Sequence, residues 1–423
     1  MDIRKLLDII NENSKPKPAQ KSLLKGVEVL SLPQFVAQQT NEEQLDEDDP
    51  QKFLGATYRK PSDDEMKGYL GRIVDKKKEK RDKFNLPYIH RSNVLPIIYK
   101  PSDGGEISAI PGTDDYEFNL EAMKKLFTTR PEYILKQNDK MKHSDGTTSI
   151  FFNIGLPAMN GMVVDESTNE FVIINTCPGA GACKTFCFVG KGGYVQYSPP
   201  STHMTRNLNF LINDPQGWSN MLKSEISQLQ DKYSKKGSQL VIRWHDAGDF
   251  FSDAYKDVAF DVAKSFPNVQ FYAYTKIASI ATGKAPDNFI FNFSKGALRS
   301  QEKQVDFTKT KHSAVIDEPI FKDLVKRVTY PDLDKSGKQK IDKKTGEPKT
   351  FTKLEYKGPA QIKTLKDRIA KAYNLDPNSI LTYDEMLKMP KGQPLAYNVI
   401  IKPGDGDIAA TRRDVLGSLL LIH

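Results

Sequence analysis

Residues 240–251 read Leu240-Val-Ile-Arg-Trp-His-Asp-Ala-Gly-Asp-Phe-Phe251, and this stretch indicates the fold class. Its first five residues are a short run rich in β-branched and aromatic side chains, which is typical of a buried strand. After a polar loop, Ser252 precedes a helical pattern that Pro267 ends. The apolar face of this predicted helix consists of Ala254, Val258, Val262 and Phe266. A strand followed by an amphipathic helix is the repeating unit of α/β proteins.

Further strands and helices are predicted on both sides of this unit. The predicted strands lie at 150–154, 171–174, 269–274, 289–293, 313–316 and 397–401. The predicted helices lie at 119–127, within 205–233 and at 361–373. Strand and helix units that repeat at this length imply a parallel sheet. We therefore expect an α/β fold, either a partial (β/α) barrel or an open parallel sheet, with a less regular N-terminal extension.

The 423 residues divide into five predicted regions. Residues 1–60 are expected to be a flexible or helical appendage, with an amphipathic helix at 3–10. Residues 61–149 form an N-terminal α+β region, and 150–318 form the α/β core. Residues 319–358 are a lysine-rich insertion that fits an exposed hairpin. A C-terminal helix and strand within 359–423 complete the core.

Charge and hydropathy narrow the class of protein. Lysine and arginine number 62 against 54 acidic residues, so the formal net charge is +8. This modest basic excess permits an anionic partner without requiring one. No apolar run approaches the ~18 residues that cross a bilayer, and the first residues are unlike a signal peptide. We expect a cytoplasmic protein with no membrane contact.

All three cysteines fall within eleven residues, in Asn175-Thr-Cys-Pro-Gly-Ala-Gly-Ala-Cys-Lys-Thr-Phe-Cys-Phe188. We call residues 175–188 the cysteine loop, and its cysteines are Cys177, Cys183 and Cys187. An odd number of cysteines in a chain with no export signal argues against a disulfide framework. The cluster therefore predicts metal or redox chemistry.

Two kinds of metal site remain open. A structural zinc takes four ligands, so His203 or His245 would have to complete a Cys3His site. Three thiolates on one loop can instead hold three irons of a [4Fe–4S] cluster. The fourth iron of that cluster would then stay open to a substrate or a cofactor.

Polar segments follow the predicted strands of the core. In parallel α/β folds, ligands bind beyond the carboxyl ends of the strands. The segments there are the cysteine loop, His245–Phe251, Thr275-Lys276 and Ser294-Lys-Gly296. We expect all of these segments to converge on one binding site at this edge of the sheet.

Several side chains of these segments are candidates for chemistry. His245 and Asp246 suit general-base catalysis, although a strand-end histidine that is hydrogen-bonded for structure fits as well. Lys276 or Arg243 could pair with a carboxylate or a phosphate of a ligand, or serve as a structural charge.

This combination of motifs resembles the bacteriophage gene product 88 family. The resemblance rests on the Cys-Pro-Gly-Ala motif of the cysteine loop, on Gly248-Asp-Phe-Phe-Ser252 and on Ala273-Tyr-Thr275. It covers roughly residues 150–300, with a weaker similarity at 404–414. Members of the family usually carry further cysteines near the C-terminus, and this chain has none. The resemblance implies a phage-encoded protein of the host cytoplasm, and the missing cysteines argue against a second metal site here.

The same layout is similar to that of radical S-adenosylmethionine (SAM) enzymes. Those enzymes place three cysteines after the first barrel strand, with an aromatic residue before the third, and Phe186 holds that position here. Gly248 and Asp249 correspond to the stretch that binds the amino group of SAM. Thr275 and Ser294 correspond to residues that contact its ribose and carboxylate. The cysteine spacing is five then three residues here, longer than in that superfamily, so the similarity is architectural.

The resemblance implies a radical SAM-type enzyme with a [4Fe–4S] cluster. Such an enzyme uses an electron donor to cleave SAM into a 5′-deoxyadenosyl radical, which then modifies a substrate. The substrate is unknown, and a nucleotide or nucleic acid is a candidate. The alternative is a zinc-stabilised, Cys3His nucleic-acid-binding phage protein without catalysis, with its charge in the basic run 76–83 and in 335–349.

Overall fold

A computed structural model describes residues 52–62, 66, 114–137, 148–185, 187, 198–334, 336–342, 346–390 and 397–421. Three of the predictions fall outside these residues. They are the amphipathic helix at 3–10, the basic run at 76–83 and the position of Phe186.

Thirteen strands and ten α-helices are found in the described ranges, together with 3-10 helices at Lys52–Gly55, Ala182–Thr185 and Pro377–Ser379. The strands are β1 (Tyr58–Arg59), β2 (Ser149–Asn153), β3 (Asn160–Asp165), β4 (Glu170–Asn175), β5 (Gln239–Trp244), β6 (Gln270–Thr275), β7 (Phe289–Ser294), β8 (His312–Ile316), β9 (Val325–Pro331), β10 (Thr350–Tyr356), β11 (Ile380–Thr382), β12 (Tyr397–Ile401) and β13 (Val415–Leu421). The helices are α1 (Asp114–Thr128), α2 (Ser198–Asn213), α3 (Pro215–Ser234), α4 (Asp253–Ser265), α5 (Ala278–Thr282), α6 (Arg299–Glu302), α7 (Glu318–Phe321), α8 (Pro359–Tyr373), α9 (Tyr383–Lys388) and α10 (Ile408–Thr411).

Eight strands form one parallel sheet in the order β11-β12-β13-β8-β7-β6-β5-β2. The first five of them in the chain, β2, β5, β6, β7 and β8, lie side by side in sequence order. The last three fill the opposite side of the sheet, where β13 pairs with β8. The prediction of an α/β protein with a parallel sheet is therefore confirmed.

Helices cover both faces of this sheet, as the order of its strands requires. On one face, Trp218 of α3 and Val262 of α4 pack against Ile242 and Phe271. On the other face, α9 and α10 pack against neighbouring positions of the same strands. Parallel crossovers are right-handed, so strands that advance in one direction place their helices on one face. The strands from β11 to β13 advance in the reverse direction, and their helices lie on the other face.

The predicted strand at 171–174 exists as β4, but the prediction that it belongs to the parallel sheet is wrong. It pairs antiparallel with β3 and β1 in a separate three-stranded sheet. The Asp165 carboxylate accepts hydrogen bonds from the Ser167 amide at 3.0 Å and the Ser167 hydroxyl at 2.6 Å. Asn169 follows with a positive φ of 56°. This tight turn reverses the chain, and strands joined so closely pair antiparallel.

Side chains cap the starts of α3 and α4, and the cap at Ser252 agrees with the sequence prediction. The Asp214 carboxylate accepts from the Gly217 amide at 2.8 Å, and Pro215 is the first residue of α3. The Ser252 hydroxyl accepts from the Tyr255 amide at 3.1 Å and caps α4. Both caps satisfy amide groups that the first turn of a helix leaves without a partner.

The C-terminal region contributes more to the sheet than the sequence predicted. The strand predicted at 397–401 is β12, but β13 follows it and lies between β12 and β8. Strands β9 and β10 form an antiparallel hairpin apart from the main sheet.

No helix in the described ranges has the length and apolar character needed to span a membrane.

Candidate functional site at the carboxyl edge of the sheet

The cysteine loop is hydrogen-bonded to the segments that follow the carboxyl ends of two strands, β5 and β7. The Asp249 amide, beyond β5, donates to the Thr176 carbonyl at 2.9 Å. The amides of Gly181 and Cys183 both donate to the Gly296 carbonyl, beyond β7, at 3.2 Å. The loop therefore lies at the edge of the sheet where parallel α/β proteins bind ligands.

Two glycines allow this close approach. A Cβ atom on Gly179 would lie 2.6 Å from the Lys276 carbonyl oxygen. A Cβ atom on Gly181 would lie 2.2 Å from the Ala297 carbonyl oxygen. Both distances are far below van der Waals contact, so no side chain fits at either position. The Gly-Ala-Gly segment between Cys177 and Cys183 is thus explained by packing against the ends of β6 and β7.

None of the three cysteines forms a disulfide, and each is partly buried. Burial, together with the charge of Asp249, raises the pKa of the Cys177 thiol to about 12, and the other two cysteines add to this shift. Burial also raises the pKa of Cys183, while Lys276 opposes that change. The three sulfurs therefore lie near enough for their charges to interact.

Cys177 is held by its contact with Met159. The Met159 amide donates to the Cys177 sulfur at 3.3 Å, and the Met159 carbonyl accepts from the Thr176 amide at 2.9 Å. Met159 holds a positive φ of 66°, which is uncommon for a residue with a side chain. Amide donors to sulfur stabilise a thiolate and tune the metal centres that thiolates bind.

The cysteines do not converge on a single point. Within the described ranges, no three His, Cys, Asp or Glu side chains lie close enough together to hold one metal ion. A mononuclear zinc with Zn–S bonds of 2.3 Å would bring its sulfur ligands to within about 3.8 Å of each other. The described side chains therefore do not form the compact set of ligands that a mononuclear site requires.

His245, a candidate for catalysis and for zinc binding, points into the core. Its Nε2 atom lies 2.8 Å from the Tyr255 hydroxyl, and its ring packs edge-on against Phe250 at 4.6 Å. Burial, followed by the charge of Arg243, lowers its pKa to about 3. The backbone at His245 has a positive φ of 71°, which is uncommon for a residue with a side chain.

Asp249 joins two strand ends beneath the cysteine loop. Its Oδ1 atom accepts from the Phe250 amide at 2.7 Å and its Oδ2 atom from the Lys276 amide at 2.8 Å. Burial raises its pKa to about 6 despite these hydrogen bonds. Gly248 precedes it with a φ of 83°, a conformation that favours glycine.

Thr275, Lys276 and Ser294 come together as the sequence predicted. The Lys276 ammonium donates to the Ser294 hydroxyl at 2.7 Å and to the Ser294 and Lys295 carbonyls at 3.2 Å. The Thr275 hydroxyl accepts from the Ile277 amide at 3.1 Å and also bonds the Asp249 carboxylate. These contacts form a continuous polar layer close to the thiols of Cys177 and Cys183.

A second polar group lies beside the cysteine loop, and the sequence reasoning identified only part of it. The Lys136 ammonium lies 3.5 Å from the Asp246 carboxylate, which is almost fully buried. Burial, and then Lys136, lowers the pKa of His203 to about 4. The His203 ring stacks on Tyr133 with centroids 4.9 Å apart, and its Nε2 atom has no hydrogen-bond partner among the residues that the structure describes. We call Lys136, Asp246 and His203 the lysine–aspartate–histidine group.

This group is adjacent to the third cysteine. Met204, the residue after His203, packs in one cluster with Cys187, Ala158 and Ala247. Ala247 in turn follows Asp246. Lys136 reaches the site because its backbone pairs with Asn153 at the end of β2, with hydrogen bonds of 3.0 and 2.8 Å. No local motif marks Lys136, so only the fold reveals it.

A sequence profile of the family described as gene product 88 matches residues 133–354. The chain belongs to the gene product 88 family. The match includes the cysteine loop, the lysine–aspartate–histidine group and the layer from Asp249 to Ser294. The resemblance to a bacteriophage family is thereby confirmed.

Two phage proteins are similar to this gene product 88 chain. The Gene 88 protein of Mycobacterium phage D29 is 29% identical over 142 residues, which is 33% of this chain and 53% of that protein. The Gene 88 protein of Mycobacterium phage L5 is 26% identical over 177 residues, which is 41% of this chain and 68% of that protein. The chain thus spans about half the length of the first of these relatives. No solved structure matches it.

Charged residues outside the gene product 88 match hold the fold together. Asp407 accepts from Arg243 at 3.0 Å and from the Tyr272 hydroxyl at 2.8 Å, on the face of the sheet that α10 covers. Arg412 pairs with Asp414 and donates to the Met386 carbonyl at 2.8 Å, near the end of α9. Arg243 and Arg412 are therefore bound within the protein.

Proposed function

We propose that this gene product 88 protein is an iron–sulfur enzyme of the radical SAM type, acting on a substrate that is not yet known. The thiolates of Cys177, Cys183 and Cys187 would hold a [4Fe–4S] cluster at the carboxyl edge of the sheet. The observation that carries the proposal is the position of three unpaired thiols on one loop that is bound to the ends of β5 and β7.

The set of available ligands favours a cluster over a zinc ion, because three thiolates can bind three irons of a [4Fe–4S] cluster whereas a structural zinc needs a fourth ligand. In a [4Fe–4S] cluster each cysteine binds a different iron, so its sulfurs stand farther apart than the ligands of one ion. The described thiols are near enough for their charges to interact, yet they do not surround one point. His245, offered as a fourth zinc ligand, has its Nε2 atom on Tyr255 and its ring on Phe250.

The order of the strands supports the comparison with radical SAM enzymes. The first five strands of the parallel sheet are adjacent in chain order, as in a partial barrel. Gly248 and Asp249 follow the second of these strands, where the resemblance assigns recognition of the SAM amino group. One difference is the hairpin of β3 and β4, which separates the first strand from the cysteine loop.

A bound cluster with SAM would supply one-electron reductive cleavage and a carbon radical, with the electron coming from an external donor. The residues of this chain would position the reactants and keep water away. The Met159 amide would stabilise the Cys177 thiolate. Lys276 is fixed by Ser294, and its charge is close to Cys183. The Asp249 carboxylate would accept hydrogen bonds from the ammonium group of SAM, using the lone pairs that do not already accept from backbone amides.

The decisive experiment is analysis of protein that is purified without oxygen. We expect iron and acid-labile sulfide in equal amounts, a brown colour, and loss of both on Cys177→Ala, Cys183→Ala or Cys187→Ala. Lys184→Ala is the matched control, because Lys184 lies on the same loop and is exposed. A colourless protein with one stoichiometric zinc would overturn the proposal.

The SAM part of the proposal has its own test. Reduction of the iron-loaded protein with dithionite in the presence of SAM should release 5′-deoxyadenosine. Asp249→Asn should lower that release by raising the SAM concentration needed, while the iron content stays unchanged. A protein that carries the cluster and yet leaves SAM intact would refute the radical SAM assignment alone.

A further inference from the structure

We propose that the hairpin of β9 and β10 is an arm that binds double-stranded DNA through its phosphates. We call residues 325–356 the ribbon, of which the structure describes 325–334, 336–342 and 346–356. This inference does not depend on the proposed cluster, because the ribbon is a two-stranded sheet of its own, separate from the strands that carry the cysteine loop.

The ribbon has a concentrated positive charge. Residues 325–356 contain nine lysines and arginines and five acidic residues, a net charge of +4. The whole chain of 423 residues has a net charge of +8, so a small segment carries half of it. Clustered lysine and arginine are the electrostatic signature of contact with a nucleic-acid backbone.

The base of the ribbon is anchored in the protein core. Val325 and Leu354 are buried and pack in one cluster with Ile316 of β8 and Leu365 of α8. Beyond this base, most of the side chains are exposed on both faces of the two strands. The base of the ribbon is therefore fixed in the core, and its outer part is exposed to solvent, where a partner can contact it.

Several cations of the ribbon are available to an anion. Lys340 pairs with Asp332 at 2.7 Å and Lys349 with Asp342 at 3.8 Å. Among the described residues, no carboxylate forms an ion pair with Lys326, Arg327, Lys338 or Lys353. A phosphate backbone could bind these four side chains without first breaking an internal pair.

An aromatic pair joins the two strands of the ribbon, and apolar side chains are exposed near its far end. Tyr330 and Phe351 stack across the two strands with centroids 5.8 Å apart, and the Lys353 ammonium lies 5.4 Å from the Phe351 ring. A cross-strand aromatic pair stiffens a two-stranded ribbon that would be marginal alone. Leu333 and Ile341, near the far end, are 47% and 52% exposed.

The shape of the ribbon favours DNA as that partner. The major groove of B-form DNA is about 12 Å wide and admits a two-stranded β-ribbon. The major groove of double-stranded RNA is deep and narrow, so a ribbon does not enter it. A ribbon with exposed cations on both strands can contact the phosphates on both sides of a DNA groove.

The test is a titration of the full chain into a fluorescently labelled DNA duplex, read by anisotropy over a range of salt. The variant changes Lys326, Arg327, Lys338 and Lys353 to Gln together. The control changes Lys235, Lys264, Lys284 and Lys303 to Gln, which are exposed lysines outside the ribbon. Both variants change the net charge equally, so only the position of the charge differs.

We expect the ribbon variant to weaken binding by at least about tenfold and to reduce the salt dependence by about three to four phosphate contacts. The control should remain within about twofold of the unaltered chain. Equal effects of the two variants, no binding by the unaltered chain, or tighter binding of single-stranded DNA or an RNA duplex would each overturn the proposal. The same titration with Cys177→Ala protein separates it from the proposed cluster, since DNA binding should survive.

Discussion

The backbone amide of Met159 donates to the sulfur of Cys177 at 3.3 Å. This contact joins the segment that leaves β2 to the first cysteine of the loop, and it holds the sulfur in a site shielded from water. Burial raises the pKa of the thiol to about 12. In protein without bound metal, Cys177 is therefore a protonated and unreactive thiol.

Alkylation tests this environment directly. At about pH 8, a cysteine with the usual pKa of about 8.5 has a sizeable thiolate fraction, whereas Cys177 has almost none. We expect iodoacetamide to leave Cys177 unmodified in native, metal-free protein and to modify it in urea, as measured by peptide mass spectrometry. Labelling of native Cys177 as fast as in urea would contradict this prediction.

Asp249 makes stability depend on pH. Burial raises its pKa from 3.8 to about 6, so the folded protein binds this proton more tightly than the unfolded chain does. Its contribution to the free energy of unfolding is greatest below about pH 4 and declines, by on the order of 3 kcal/mol, as the pH rises through about 6.

The matching experiment is urea unfolding of metal-free protein from about pH 4 to 7, comparing the unaltered chain with Asp249→Asn. The difference in free energy between the two should change over that interval and level off above pH 6. A constant difference across the interval would show that the carboxyl group of Asp249 titrates in the same way in both states.

Gly181 should tolerate no side chain. A Cβ atom there would lie 2.2 Å from the Ala297 carbonyl oxygen, so Gly181→Ala must push the cysteine loop away from β7. We expect a loss of about 1 to 3 kcal/mol in the free energy of unfolding, the usual cost of overpacking. The same variant should bind less iron in the anaerobic preparation.

Gly358→Ala serves as the control for this substitution. Its added Cβ atom would meet only the Gln361 side-chain oxygen, at 2.9 Å, which can move aside. Its unfolding free energy should change by less than about 1 kcal/mol. A Gly181→Ala protein as stable as this control would contradict the close packing of the loop.

Lys136 and Asp246 should be energetically coupled. Removing the lysine in Lys136→Met leaves a buried carboxylate without its cation, which costs about 3 kcal/mol. In the double variant Lys136→Met with Asp246→Asn the charge is gone, so part of this loss should be recovered. A double-mutant cycle by urea unfolding measures the coupling, and strictly additive effects would argue against the ion pair.

Local patterns in the sequence predicted most of the fold that surrounds the site. The runs at 240–244 and 289–293 became β5 and β7, and Ser252 caps α4. These elements were predictable because period, capping and proline signals act within a few residues. The same patterns cannot tell a strand of the main sheet from a strand of a separate sheet, which is why 171–174 was assigned to the wrong one.

Contacts between distant parts of the chain account for what sequence reasoning missed in the site. Asp246 was a candidate, but its partner Lys136 is 110 positions earlier in the numbering and carries no motif. His245 holds a positive φ and its ring contacts Tyr255, and no spacing rule reports either feature. The roles proposed for Thr275, Ser294 and Asp249 stay predictions, although these residues do lie in one layer.

The chain enters and leaves the hairpin of β3 and β4 at positions that are hydrogen-bonded to each other. Thr176, at the exit, donates its hydroxyl to the Pro157 carbonyl at 2.6 Å and its amide to the Met159 carbonyl at 2.9 Å. The first strand of the main sheet and the first cysteine are therefore neighbours in space, although many residues of chain separate them. A change of length at the far turn of this hairpin therefore need not displace Cys177, because the two ends of the hairpin are held together at its base.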